Sequence, residues 1–115
     1  MTRVAAESSQ AYAMIERIET LERVAETLPD EDERRVALLG LVEKDLASAH
    51  PFRPRIAAEV LDLSEKTVRA WTREGVLTRA AGPSSRVLLD VQRVHQVLRV
   101  LTDLRSAGKT VGLFD

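Results

Sequence analysis

Residues 55–77 read RIAAEVLDLSEKTVRAWTREGVL, and the order of apolar, turn-forming and basic residues in this stretch decides the fold of the second half of the chain. The spacing predicts two short helices joined by a tight turn. The first runs over about Pro54–Leu61, with Pro54 suited to an opening turn that needs no N–H donor. Its small Ala57 and Ala58 allow another helix to approach. Asp62 takes the turn, because Asp tolerates left-handed backbone better than most residues. Leu63 follows as a buried plug. Ser64 is an N-cap whose hydroxyl accepts from the backbone N–H of Lys66 or Thr67. In the second helix Val68 and Trp71 point inward, leaving Lys66, Thr67, Arg69, Ala70 and Arg73 outside. Gly75 then stops the helix in left-handed backbone.

A helix buried along one side and basic along the other fits the DNA major groove. Side chains near its N-terminal end reach base edges, while the cations hold phosphates. Downstream, Val76–Leu77, Thr78–Arg79 and Arg86–Leu88 read as two short extended pieces around the turn Gly82-Pro83-Ser84-Ser85. They predict a small two-stranded wing, with Arg79 and Arg86 placed to grip the phosphate backbone. Asp90 caps a last helix whose face is Val91, Val94, Leu98, Leu101 and Leu104, widened by Val97 and Val100. Gly108 ends it, and residues 109–115 form a short tail.

The order of helix, turn, Ser64-Glu-Lys-Thr-Val-Arg-Ala-Trp71, Glu74-Gly-Val-Leu77, wing, Asp90-Val-x-x-Val-x-x-Val-Leu98 and Leu104-Arg-x-x-Gly108 resembles the MerR-type winged helix-turn-helix family. The Trp71 variant looks more like its excisionase and BldC-like branch. The resemblance covers roughly residues 53–113, and its most specific string is Thr67-Val68-Arg69-x-Trp71 followed by Gly75-x-Leu77. It implies a DNA-binding protein, commonly a dimeric transcriptional regulator, with Thr67, Arg69 and Arg73 on the recognition helix and Arg86 on the wing. Three departures bear on that expectation. No aromatic residue stands at Val87-Leu88, the family's long dimerising helix does not follow, and no cysteines are present for metal sensing.

The first half reads differently. From Gln10 to Leu28, Tyr12, Ile15, Ile18, Leu21, Val24 and Leu28 recur at steps of three or four, which predicts an amphipathic helix. Pro29 ends it. The run Asp30-Glu31-Asp32-Glu33 opens a second helix, where negative charge suits the helix dipole. Val36, Leu39, Val42 and Leu46 form its apolar face, widened by Leu38 and Leu41. So short a connection predicts an antiparallel hairpin. The apolar surface left over is expected to cover a second copy of the chain in preference to a purely intrachain role. His50, Pro51, Phe52, Arg53 and Pro54 mark the boundary between the halves.

Charge separates the same two regions. Residues 1–49 hold 6 Lys/Arg against 11 Asp/Glu, while residues 50–115 hold 11 against 7. Such asymmetry suggests an acidic element joined to one that faces nucleic acid. Aromatics are only 3% of the 115 residues, so the core is aliphatic, which favours helices. The absence of cysteine removes disulfides, thiolate metal sites and cysteine nucleophiles together. His50 and His95 have no second ligand at helical spacing. Neither a glycine-rich phosphate loop nor a nucleophile elbow is present.

The expectation is therefore a mainly α protein with a flexible tail over residues 1–9 and a helical hairpin over 10–49. A winged helix-turn-helix domain with a two-stranded wing follows over 50–115. The expected site is Arg53, Arg55, Ser64, Lys66, Thr67, Arg69, Ala70, Arg73, Arg79 and Arg86, on double-stranded DNA, in a homodimer. No enzyme activity, cofactor, metal or membrane partner is expected, and the expected location is the cytoplasm. The competing reading is an antitoxin-like module whose acidic hairpin binds a protein while the second half regulates its own operon.

Overall fold

The computed structural model describes residues 3–82 and 86–108. Five helices lie within them: α1 (Arg3–Glu26), α2 (Glu33–Ser48), α3 (Pro54–Leu61), α4 (Glu65–Arg73) and α5 (Val91–Ser106). The chain divides into two compact units, Met1–Ala49 and His50–Asp115.

In the first unit α1 and α2 pack against each other. They run antiparallel: Arg17, midway along α1, meets Asp45 near the end of α2 at 2.9 Å. At the other end, Arg35 donates from the start of α2 to the carbonyls of Ala25 (3.1 Å) and Leu28 (3.3 Å). Asp32 caps α2 by accepting from the Arg34 N–H at 2.8 Å, and the Arg34 guanidinium folds back onto the same carboxylate. These bonds hold the Asp32 carboxyl at a pKa of about 2, below its ordinary 3.8.

Two expectations for this unit are corrected. The tail expected over residues 1–9 is helical from Arg3 onward. Ala5, Ala6, Ser8 and Ser9 include no breaker, and extending an existing helix costs little once it is nucleated. The buried stripe of α1 is Ala11, Ile15, Ile18, Glu22 and Ala25, whereas Tyr12 (47%) and Val24 (49%) are exposed. Each step of three residues falls about 60° short of a full turn, so the series 12, 15, 18, 21, 24 winds off any one face. The alternation of four and three that passes through the two alanines stays on it. On α2 only Val42 is buried, and Val36 and Leu41 face solvent.

In the second unit α3 lies between α4 and α5, packing on both. Its Pro54, Ile56, Ala57, Ala58, Val60 and Leu61 are all buried. Asp62 ends it in left-handed backbone (φ 55°, ψ 49°), letting the Leu63 N–H reach the Ala58 carbonyl at 3.0 Å. Asp90 caps α5 through the Arg93 N–H at 3.2 Å. The buried side of α5 is Val91, Val94, His95, Leu98 and Leu101.

The expected two-stranded wing is not found, and the described residues contain no β-strand. In its place Leu89 makes two isolated antiparallel bridges, one with Phe52 and one with Arg79. Phe52 and Leu89 exchange both backbone bonds, at 3.0 and 2.8 Å, and the Arg79 bridge rests on Ala80 N–H to Leu88 O and Asp90 N–H to Thr78 O. Neither pairing has room to lengthen into a ladder. α3 begins two residues after Phe52 and α5 two residues after Leu89, while the positive φ of Gly82 (134°) breaks the extended backbone just beyond Ala80. Pro83, Ser84 and Ser85, expected in the wing turn, lie outside the described residues, as does the tail after Gly108.

Candidate nucleic-acid interface

The three residues between α3 and α4 fix where α4 starts. Asp62 reverses the chain, Leu63 is half-buried, and Ser64 caps α4 by accepting from the Thr67 N–H at 3.1 Å. The Ser64 and Thr67 hydroxyls also share a hydrogen bond of 2.8 Å. At the far end Gly75 takes φ 82°, which brings the N–H groups of Val76 (2.9 Å) and Leu77 (3.2 Å) onto the Trp71 carbonyl. The helix is thus closed at both ends by its own neighbours.

Val68 is fully buried beneath α4, and Trp71 is half-buried beside it. Lys66, Arg69 and Arg73 are exposed on the opposite side, spread over about 10 Å of helix at 1.5 Å per residue. Among the described residues Lys66 and Arg73 have no hydrogen-bond or ion-pair partner. Arg69 pairs with Glu65 one turn earlier, at 3.7 Å, with both side chains about half exposed (51% and 48%).

The remaining expected site residues are distributed around this face. Thr67 and Ala70 are half-buried on its flank, and the Thr67 hydroxyl is turned to Ser64 rather than outward. Arg55 is exposed and 4.0 Å from Glu59. Arg53, the N-cap residue of α3, is half-buried and already engaged by a partner, and Arg86, although exposed, is engaged as well. Arg79 is exposed and, among the described residues, unpartnered. Arg53 and Arg55 stand at the end of α3 remote from the turn, so they do not belong to the α4 face. The double bridge at Leu89 instead lays Phe52 and Arg79 two strand spacings apart, about 10 Å, which brings Arg53 and Arg79 into one neighbourhood.

Three residues escaped the sequence reading. The Arg105 guanidinium, on α5, donates to the carbonyls of Leu61 (2.8 Å) and Asp62 (3.3 Å), binding the turn before α4. Arg93, at the other end of α5, donates through Nε to the Val76 carbonyl at 2.8 Å, binding the turn after it. No local spacing announces either contact. Glu65 was legible in principle, because it stands four residues before Arg69.

Among the described residues no three metal-binding side chains come together, and no helix is long and apolar enough to cross a membrane. No family model, curated protein or solved structure matches the chain.

Proposed function

We propose that this protein binds double-stranded DNA sequence-specifically by inserting α4 in the major groove, as a regulator of transcription. The observation that carries this reading is the two-sided character of α4. Val68 is buried on one side, Lys66, Arg69 and Arg73 stand in solvent on the other, and both ends are capped. A helix so held presents donors in a fixed orientation, and its cations draw it to the phosphates. Arg55 and Arg79 add sequence-independent phosphate contacts, joined by Arg53 and Arg86 once these leave their present partners. The MerR-type and excisionase/BldC-like resemblance of residues 53–113 agrees with this role, with the single bridges at Leu89 standing where a wing was expected. The protein acts in the cytoplasm, as a homodimer on two half-sites, without enzymatic activity, cofactor or metal.

The test is fluorescence anisotropy of a randomised duplex, titrated with protein across a salt series, beside the double variant Lys66→Ala/Arg69→Ala. The expected result is binding that weakens steeply with salt, by roughly 500-fold between 50 and 200 mM for about five phosphate contacts, and that the variant loses. A folded protein that binds no duplex at low salt refutes the reading.

A second reading concerns the first unit. Tyr12, Val24, Val36 and Leu41 are exposed on a strongly acidic hairpin, which suits a basic protein partner such as a toxin. Size-exclusion chromatography with light scattering tests the homodimer first. A monomer at micromolar concentration would leave these side chains for another protein.

A further inference from the structure

Glu65 is the one acidic residue within α4, and the proposed DNA contact does not account for it. A carboxylate on the exposed side of a groove-binding helix is repelled by phosphates on both strands. It lowers affinity everywhere except where a base offers it a donor. It stands in the first turn of α4, from which side chains of a docked helix reach base edges. Its carboxylate lies 3.7 Å from the Arg69 guanidinium, so the two side chains form one unit with a donor beside an acceptor.

We infer that Glu65 and Arg69 together read a single G·C base pair, Arg69 donating to guanine O6 and N7 and Glu65 accepting from the cytosine N4 amine. This rests on the DNA-binding reading and names what its recognition helix selects. The major-groove edge of a G·C pair presents two acceptors and then a donor. Guanine O6 and cytosine N4 are hydrogen-bonded to each other, hence about 2.9 Å apart. The guanidinium nitrogen and the carboxylate oxygen, 3.7 Å apart, close by about 0.8 Å to match the edge with roles reversed. Both are half exposed, so they meet it without unfolding any contact of the core. A T·A pair also sets an acceptor beside a donor, thymine O4 beside adenine N6. There the guanidinium keeps one acceptor and meets the methyl group, while adenine N7 confronts the carboxylate. Lys66 and Arg73, unpartnered on the same side, supply attraction with no sequence content. The division of labour on α4 is then explicit: two cations hold DNA, and one ion pair chooses the base pair.

The experiment is selection from a random duplex pool with the full-length protein, run in parallel for the parent, Glu65→Gln and Arg69→Lys. Anisotropy on the selected site follows, and on the same site with each G·C pair changed in turn to T·A. Trp71 fluorescence checks that both variants stay folded. The parent is expected to lose about tenfold or more in affinity when the read pair is changed. Glu65→Gln should bind random duplex more tightly and discriminate at that pair severalfold less than the parent, keeping the share that Arg69 supplies, since an amide both donates to and accepts from adenine. Arg69→Lys should keep the salt dependence of the parent and weaken the guanine requirement, because a point charge replaces a rigid two-pronged donor. If Glu65→Gln discriminates like the parent at every pair, the paired reading is overturned while DNA binding through α4 stands. If the parent binds no duplex, or binds it no better than Lys66→Ala/Arg69→Ala, the proposed function fails and this inference falls with it.

Discussion

α2 is twice the length of α3, yet it buries one side chain, Val42, where α3 buries six. The difference lies in the number of neighbours. α3 is packed on both α4 and α5, so nearly its whole circumference is enclosed, whereas α2 is packed on α1. A helix with one partner hides one stripe, and the rest of its apolar residues stay in solvent, as Val36 and Leu41 do. The second unit therefore carries a core that fixes α4, while the first is a hairpin with apolar surface to spare. The charges follow the same division, acidic on the hairpin and basic on the packed unit.

The severest way to test this contrast is Leu61→Ala, which empties a fully buried position on α3. It should destabilise the second unit by roughly 3 kcal/mol. Denaturant unfolding followed by the single tryptophan, Trp71, reads the change, and an unaltered midpoint would mean that α3 is not the centre of a packed core. Ser64→Ala comes next, costing about 1 kcal/mol through the lost cap of α4. Hydrogen exchange should accelerate at the first-turn amide of Thr67 before it does so elsewhere in the helix. In the hairpin the sign reverses. Gly40 is exposed in mid-α2, and a Cβ added there meets nothing within 4 Å, so Gly40→Ala should stabilise by about 0.5–1 kcal/mol. Far-UV circular dichroism should register that gain while the Trp71 transition stays in place. Equal movement of both curves would merge the two units into one cooperative whole.

The smallest effect is that of acid on Asp32. Its folded-state pKa is depressed from 3.8 to about 2, so the ionised cap favours the folded hairpin above about pH 4. That contribution fades as the pH falls from 4 towards 2. Asp32→Asn, which caps without titrating, should flatten the pH dependence of hairpin stability in this window, as circular dichroism would show.

What could be read in advance follows a physical line. Pro54, Asp62, Ser64, Gly75 and Asp90 act on their own backbone or on residues within three positions, and each stands in the structure where that local chemistry puts it. The basic side of α4 followed from the 3.6-residue period alone. Thr67 did not, because its hydroxyl answers to Ser64 instead of to helix geometry. The stripe of α1 was misread by weighting large side chains over Ala11 and Ala25, although small residues are the ones that let a neighbouring helix close in. The wing failed for a reason no single segment contains. Leu89 is claimed by Phe52 as well as by Arg79, and the helices that begin beside these pairings, with the positive φ of Gly82, stop either from extending. Arg93 and Arg105 were invisible for the same cause, since their acceptors are supplied by distant turns.

The pairing of Phe52 with Leu89 also sets an order of events during synthesis. The hairpin closes on itself by Ser48, so it can form as soon as its second helix leaves the ribosome. The second unit cannot: Phe52 waits for Leu89, and the carbonyls of Leu61 and Asp62 wait for Arg105, on α5. Until α5 emerges, the basic helix has the turn before it unsecured, whereas the contacts between α1 and α2 need no residue beyond Ser48.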